Sequence, residues 1–231
     1  MNRAAFFDAI RPLFGGLKQS QVRGLEILLA AVDGLPVRHQ AYDLATAFHE
    51  TRATMEPVRE ALADTDAEAV RRLERAWAKG QLPWVRTPYW RADKDGKHWF
   101  GRGYVQLTHK VNYEKAGKRL GVDLVSDPSA ALSPMLAARI LVQGMSEGWF
   151  TGVKLSDCTN YRDMRKVVNG MDKADLIAGY AVKFEAALLE AEAMPPRPDV
   201  EPVQKVGAPA WTWFAEALAK IADQFTRKWR L

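Results

Sequence analysis

The sequence predicts a mainly α-helical protein with at most a small β-hairpin. Apolar residues recur every three or four positions over most of the chain, which is the period of one face of an α-helix, and few stretches are β-rich. A proline-rich stretch then separates this helical body from a short final segment. We therefore expect three parts: a domain of residues 1–194, a linker of residues 195–209 and a C-terminal helix of residues 210–231.

Local signals predict where the helices of the body lie. Capping residues, apolar spacing and glycine stops predict helices over about residues 20–33, 39–49, 66–79 and 134–148, and from about 172 onward. Thr65-Asp66 and Ser133-Pro134 are the clearest helix starts, because each pairs a capping side chain with a favoured first-turn residue. Residues 82–103 are rich in proline, glycine and tryptophan, which predicts a loop or short hairpin.

Composition limits the class of protein. The 231 residues have a formal net charge of +5, which favours an anionic partner such as peptidoglycan, a membrane surface or nucleic acid. Cys158 is the single cysteine, so an intramolecular disulfide is impossible and folding in a reducing cytoplasm is expected. Asp8 and Arg11 interrupt the first apolar stretch, so we expect no signal peptide. No apolar run is long enough for a simple membrane-spanning helix.

The C-terminal segment has the pattern of a basic amphipathic helix. Residues 195–209 contain five of the twelve prolines and little that could be buried. Aromatic and aliphatic residues then repeat at helical spacing, with cations among them: Trp211, Phe214, Leu218, Ile221, Phe225, Trp229, Lys220, Arg227, Lys228 and Arg230. Such a helix can bind an anionic membrane surface. It could instead dock on the body or pair with a second chain.

Glu50 is the first candidate catalytic residue. It ends the predicted helix of residues 39–49, where unpaired carbonyls and the helix dipole disfavour a carboxylate, and Phe48 partly desolvates it. A general acid working near neutral pH needs its neutral form to be favoured in this way. Glycosidic bonds are usually cleaved by two carboxyl groups, and Glu56 and Glu60 are the nearest candidates for the second. Pro57 predicts a helix start, with Glu60 about one turn inside that helix.

The second informative segment is residues 100–108. Two glycines flank Arg102, which lets the backbone approach another group closely. In an extended strand, Tyr104, Gln106 and Thr108 would share one face, where hydroxyl and amide groups could bind sugar hydroxyls. A surface hairpin without a binding role is the alternative. A metal is not expected, because Ala53 stands where a zinc-protease motif after His49-Glu50 would need its second histidine.

Four blocks, in this order and spacing, resemble glycoside hydrolase family 19, which contains chitinases and many phage endolysins. They are 48–51 (Phe-His-Glu-Thr), 101–108 (Gly-Arg-Gly-Tyr-Val-Gln-Leu-Thr), 112–113 (Asn-Tyr) and 168–170 (Val-Asn-Gly). The resemblance covers roughly residues 20–190. It implies a lysozyme-like, two-lobed α-helical fold with a substrate cleft between the lobes, and an inverting mechanism.

The resemblance also implies roles for individual residues. Glu50 matches the general acid, Glu60 matches the second carboxylate, and Thr108 stands where chitinases have a serine that helps to hold the attacking water. Gln106, Asn112 and Asn169 match positions that line the sugar groove, and we expect Tyr104 to line it with them. Thr108 resembles the endolysin branch. The family needs no cofactor, and none is expected here.

We therefore expect a monomeric endolysin-type hydrolase that cleaves the glycan strands of bacterial peptidoglycan. It would be synthesised in the cytoplasm and act on the periplasmic cell wall after release. A chitinase is the first alternative, and an inactive glycan-binding or virion-structural module is the second. Nucleic-acid binding through the basic tail is a third reading, which we do not expect. Trp84, Tyr89, Trp90 and Trp99 could stack on sugar rings or anchor the loop.

Overall fold

A computed structural model describes residues 1–194 of the chain. The predicted linker 195–209 and C-terminal helix 210–231 lie outside the described residues. Eight α-helices and two short strands form the described part: α1 Arg3–Phe14, α2 Gln19–Ala31, α3 Val37–Glu50, β1 Val58–Arg59, α4 Asp66–Ala78, β2 Arg102–Gly103, α5 Lys110–Leu120, α6 Pro134–Glu147, α7 Tyr161–Met164 and α8 Ala174–Ala193. The predicted mainly α fold is confirmed. Within residues 1–194, no helix is both long and apolar enough to cross a bilayer.

Helix α3 lies at the centre of the main core. All residues from 41 to 48 on this helix are buried, and α3 packs along α8, which also packs against α1. The predicted apolar face of α8 is buried at Ile177, Phe184 and Leu188, while Tyr180 is partly buried beside Phe48. Because α3 is enclosed along its length, its last residue, Glu50, is held in a fixed position at the edge of the core.

A second, smaller core lies under α4 and the tryptophan-rich loop. It consists of the buried residues Ala63, Ala69, Leu73, Trp90 and Phe100. The expected loop or hairpin of residues 82–103 therefore has an inner side that packs on α4. It contains no helix, and its last two residues form β2. Two separate cores match the expectation of two lobes, one around α3 and one around α4.

The helix ends follow the local signals in some places and not in others. Thr65 caps α4 by accepting a hydrogen bond from the backbone N–H of Glu68, and α6 begins at Pro134 directly after Ser133, as predicted. Helix α2, however, begins at Gln19, so Ser20 is inside it rather than its cap. Helix α1 was not predicted, although its Asn2 cap accepts a hydrogen bond from the N–H of Ala5.

The predicted helix after Pro57 is wrong. Val58–Arg59 is extended because it pairs antiparallel with Arg102–Gly103, and Glu60–Leu62 is a single 3-10 turn. The strand partners lie more than forty residues apart, so the small sheet is not the hairpin that local signals suggested. This pairing joins the segment of Glu60 directly to the glycine-rich segment around Arg102.

Candidate active site

A cleft of about 670 Å³ opens at the end of α3. One side is formed by Glu50, Val168 and Asn169. The facing residues come from the segment 105–112 and from the loop 84–89. The structure therefore brings together Glu50, Gln106, Thr108, Asn112 and Asn169, which were predicted from distant parts of the sequence. Their places in one cleft are observed, and their catalytic and sugar-binding roles stay predictions.

Glu50 is held by one cation. Its Oε1 accepts a hydrogen bond from Nη1 of Arg165 at 2.9 Å, and the exposed fractions of the two side chains are 19% and 5%. Among the described residues, the nearly buried guanidinium is the ion-pair partner of this carboxyl group. Burial lowers the pKa of the neighbouring His49 more than the Glu50 charge raises it, so that ring is neutral near pH 7.

Arg165 was missed at the level of sequence. It lies 115 residues from Glu50 in the chain, and its Nε donates to the backbone oxygen of Asp172 at 3.0 Å. No local pattern marks it, because the contact exists only when the short helix α7 and the turn after it pack beside α3. The second hydrogen bond fixes the plane of the guanidinium, which in turn orients the Glu50 carboxyl group.

The opposite wall is a tight reversal of the chain rather than a strand. Arg102 and Leu107 exchange backbone hydrogen bonds, and Gln106 between them has a positive φ of 55°. The predicted alternation of side chains is therefore wrong. Tyr104 is completely buried and its hydroxyl donates to the backbone oxygen of Met55, so the prediction that Tyr104 lines the groove is wrong as well.

A chain of hydrogen bonds locks this wall. The amide of Asn112 donates to the backbone oxygen of Thr108 at 2.8 Å, and the Thr108 hydroxyl donates to the backbone oxygen of Gln106 at 2.7 Å. The Gln106 amide in turn donates to the backbone oxygens of Val58 and Gly103. Because the Thr108 hydroxyl already donates its proton, it can only accept further hydrogen bonds. A water that donates to this hydroxyl keeps its own lone pairs free.

Glu60 lies behind the wall and is not among the residues that line the cleft. Its Oε1 accepts from the hydroxyl of Tyr89 at 2.6 Å, and its Oε2 accepts from the backbone N–H of Gly101 at 2.7 Å. Burial, together with the Glu60 charge, raises the pKa of Tyr89, so this phenol stays protonated. Glu60 thus connects the cleft-lining Tyr89 to the glycine-rich segment, and its role as base stays a prediction.

Gly101 is required by close packing. A Cβ at this position would lie 2.8 Å from Oε1 of Gln106 and 3.2 Å from the Thr108 hydroxyl. The close backbone approach expected from the two glycines is therefore an approach within the chain. It brings the Gly101 N–H to Glu60 and leaves room for the polar side chains of the wall.

Arg102 is buried and structural. Its side chain is 1% exposed, and it donates to Asp66 at 2.7 Å and to the Tyr113 hydroxyl at 3.0 Å. Burial acts to raise the pKa of Asp66, but hydrogen bonds from Arg59 and Arg102 outweigh it and lower that pKa. This ion pair between a buried arginine and a partly exposed aspartate joins α4 to the glycine-rich segment and fixes the wall from behind.

The aromatic residues of the loop divide into two groups. Trp90 and Trp99 are buried, and their indole N–H groups donate to Glu74 and Asp93. Trp84 is 73% exposed and lines the cleft together with the partly buried Tyr89. Of the four aromatic residues considered for stacking, Trp90 is therefore an anchor in the small core, Trp99 is an anchor in the main core, and the other two line the cleft. Within residues 1–194, no group of three or more His, Cys, Asp or Glu side chains is arranged to hold a metal ion.

Residues 84–141 match the family model of class I chitinases, glycoside hydrolase family 19. Two curated relatives are chitinase 11 of Oryza sativa subsp. japonica, 35% identical over 95 residues, and an endochitinase of Avena sativa, 35% identical over 80 residues. These alignments cover 34% and 32% of this chain, and 37% and 40% of the relatives. The chain thus spans well under two thirds of the length of the curated relatives that it matches.

Solved chitinases have the same fold. Chitinase C from Streptomyces griseus superposes with a TM-score of 0.51 at 17% identity, over 85% of this chain and 78% of that one. A bacterial family 19 chitinase, described as differing from the plant enzymes, superposes with a TM-score of 0.51 at 20% identity, over 85% and 97%. The matched segment 84–141 and this shared, mainly α fold confirm the resemblance of the chain to glycoside hydrolase family 19.

Proposed function

We propose that this protein is a glycoside hydrolase that cleaves the glycan strands of bacterial peptidoglycan by general acid/base catalysis with inversion. The observation that carries the proposal is the cleft itself, which is lined by both Glu50, whose carboxyl group is oriented by Arg165, and Thr108. An acid on one side and a held water on the other are what an inverting hydrolysis requires.

Each residue has a step in this mechanism. Glu50 donates its proton to the oxygen of the leaving sugar, and the negative charge that develops on Glu50 lies beside Arg165, which stabilises it. Thr108 accepts a hydrogen bond from the attacking water. Glu60 is the predicted base, and because it does not line the cleft, it receives the proton through a bridging water. Gln106, Asn112 and Asn169 line the cleft and would bind sugar hydroxyl and acetamido groups.

Three features support peptidoglycan as the substrate. The chain is basic, with a net charge of +5, and peptidoglycan is anionic. Thr108 resembles the endolysin branch of the family rather than the serine of chitinases. Arg86 also adds an unpaired cation to the cleft wall. In this proposal the protein acts on the periplasmic wall after its release from the cytoplasm.

A chitinase is the second candidate, because the curated relatives and the solved structures that resemble this chain are chitinases by name. The chemistry and the catalytic residues would be the same. The difference would lie in the walls of the cleft, since chitin has no acidic substituent.

The test measures new reducing ends from purified Gram-negative peptidoglycan and from colloidal chitin, in parallel, with wild type and Glu50→Gln. Release from peptidoglycan that the substitution abolishes is the expected result, and mass spectrometry then identifies the cleaved bond. Reducing ends released from chitin alone would make chitin the substrate and leave the proposed mechanism unchanged. A folded wild-type protein that releases nothing from either polymer would leave the binding-module alternative.

A further inference from the structure

One wall of the cleft has an exposed aromatic ring next to an unpaired cation. Trp84 and Arg86 both line the cleft and both are exposed. Among residues 1–194, no hydrogen bond, ion pair or ring contact involves the Arg86 guanidinium, which sets it apart from Arg59, Arg102 and Arg165, the partnered arginines of this region.

The segment that carries this pair is anchored from the inside. Val85, between the two residues, packs against the small core, and its backbone oxygen accepts from the Trp77 indole N–H at 3.4 Å. The Val85 N–H also donates to the backbone oxygen of Leu82 in a turn. Because Val85 is directed inward, its two neighbours are presented to the cleft in a defined place.

Within residues 1–194, the charges of the cleft leave Arg86 without a counterpart. Glu50, the cleft-lining carboxylate, is already paired with Arg165. An exposed tryptophan that remains uncovered beside a cavity suits the apolar face of a pyranose ring. A free guanidinium at the same place suits a carboxylate.

We propose that Trp84 and Arg86 form a subsite for an acidic muramoyl residue, which deepens the proposed function and rests on it. Trp84 stacks on a pyranose ring, and Arg86 pairs with a carboxylate carried on the 3-O-lactyl substituent. That carboxylate belongs either to the lactyl group itself or to the stem peptide attached to it. Neutral N-acetylglucosamine polymers lack both.

The test compares Arg86→Gln with wild type on three substrates: intact peptidoglycan, amidase-treated glycan with free lactyl carboxylates, and chitohexaose. Arg71→Gln is the matched control, because Arg71 is an exposed arginine on α4 that does not line the cleft. We expect Arg86→Gln to lower kcat/KM about fivefold on the acidic substrates, to leave chitohexaose unchanged, and to lose its effect in high salt. If kcat/KM falls on amidase-treated glycan, the lactyl carboxylate is the partner of Arg86. If kcat/KM falls only on intact peptidoglycan, the partner is a carboxylate of the stem peptide.

Trp84→Ala supplies the second arm. It should lower kcat/KM about fivefold to tenfold on all glycans, acidic or neutral, because stacking does not depend on charge. The subsite would be overturned if Arg86→Gln lowered kcat/KM equally on chitohexaose and peptidoglycan, or if it lowered kcat/KM on neither.

A binding measurement separates failure of the subsite from failure of the proposed function. The Glu50→Gln protein is titrated by calorimetry with a tetrasaccharide of alternating N-acetylglucosamine and N-acetylmuramic acid, and with chitotetraose. The subsite is supported if the Glu50→Gln protein binds the acidic tetrasaccharide more tightly than chitotetraose, and if adding Arg86→Gln abolishes this preference. That result supports it even if wild type releases no reducing ends from peptidoglycan. The same tetrasaccharide bearing stem peptides is titrated as well. Equal binding of chitotetraose and of both acidic tetrasaccharides, with and without stem peptides, overturns the subsite, even if peptidoglycan is cleaved.

Discussion

The two predicted catalytic carboxyl groups lie in contrasting surroundings. Glu50 ends a long helix, lines the cleft and has a single cationic partner, Arg165. Glu60 lies in a 3-10 turn behind the wall, where a phenol and a backbone N–H each bind one of its oxygens. Arg165 leaves the second oxygen of Glu50 free for a ligand, whereas both oxygens of Glu60 already hold parts of the protein.

The contrast separates two uses of a carboxylate. A group that donates a proton to substrate must reach the cleft, and the enclosed helix α3 delivers Glu50 there. A group that accepts two internal hydrogen bonds fixes the backbone around it, and it acts as a base only through the acceptor sites that remain, since a carboxylate has about four. We therefore expect substitutions of Glu50 to affect activity alone, and those of Glu60 to affect activity and stability.

The largest effect is expected for Glu50→Gln. Glutamine keeps the shape and still accepts a hydrogen bond from Arg165, but it cannot donate the proton. The rate of reducing-end release should fall by about 10²- to 10⁴-fold, with the melting temperature nearly unchanged. A variant that retains more than a tenth of the wild-type rate would remove Glu50 from the role of general acid.

The second largest effect on the rate is expected for Glu60→Gln. Loss of the base should lower the rate by about 10²-fold, and weaker hydrogen bonds to Tyr89 and Gly101 should lower the free energy of unfolding by about 1–2 kcal/mol. Rate assays and chemical denaturation measure the two effects separately. Glu56→Gln is measured in parallel, because Glu56 is exposed nearby and is the other candidate for the base.

The outcomes for Glu60 are distinct. Lower stability with a near-normal rate would make Glu60 a purely structural residue and move the base to Glu56 or another residue. A lower rate with unchanged stability would mean that its two internal hydrogen bonds contribute little to the fold.

Thr108→Val tests the opposite wall. Without the hydroxyl, the attacking water loses an acceptor, and we expect the rate to fall by about 10- to 100-fold. The hydroxyl also donates to the backbone oxygen of Gln106, so the free energy of unfolding should fall by about 1 kcal/mol. Thr108→Ser should restore the rate in the same assay. Failure of serine to do so would assign the effect to packing rather than to the hydroxyl.

Local signals predicted the elements whose cause is local. The Thr65 cap, the Ser133-Pro134 start and the position of Glu50 at a helix end each depend on a few neighbouring residues. The failures at Pro57 and Tyr104 have a different cause. The pairing of β1 with β2 and the hydrogen bond from Tyr104 to Met55 each join segments more than forty residues apart, and these tertiary contacts override local preference.

The candidate site follows the same division. Glu50, Gln106, Thr108, Asn112 and Asn169 were found from family-like blocks, and the structure gathers all five into one cleft. The arginines that hold the site were not found. Arg165 and Arg102 reach their partners across 115 and 36 residues of sequence, and no spacing pattern records such a contact.

Helix α3 offers a third carboxyl group, and with it the smallest predicted effect on activity. Asp43 lies two turns before Glu50, is 0% exposed, and both of its oxygens lack a hydrogen-bond partner among the described residues. Burial raises its pKa well above the usual range. The unfolded chain then loses this proton at lower pH than the folded one, so the stability is fully present below the unfolded pKa and falls as the pH rises toward the folded pKa.

Asp43→Asn removes this titration and nearly keeps the shape. The variant should therefore gain stability relative to wild type as the pH rises from 4 to 8, by at most about 1.4 kcal/mol per pH unit, with unchanged activity. Urea denaturation of both proteins across this pH range measures the difference. If the difference in free energy of unfolding between the two proteins stayed constant with pH, Asp43 would have the same pKa in the folded and unfolded states. Its carboxyl group would then have a hydrogen-bond partner in solution. If the stability difference rose with pH, the two carboxyl groups of α3 would differ through their position alone. Glu50, at the helix end, can serve as an acid, whereas the buried Asp43 destabilises the fold when it ionises.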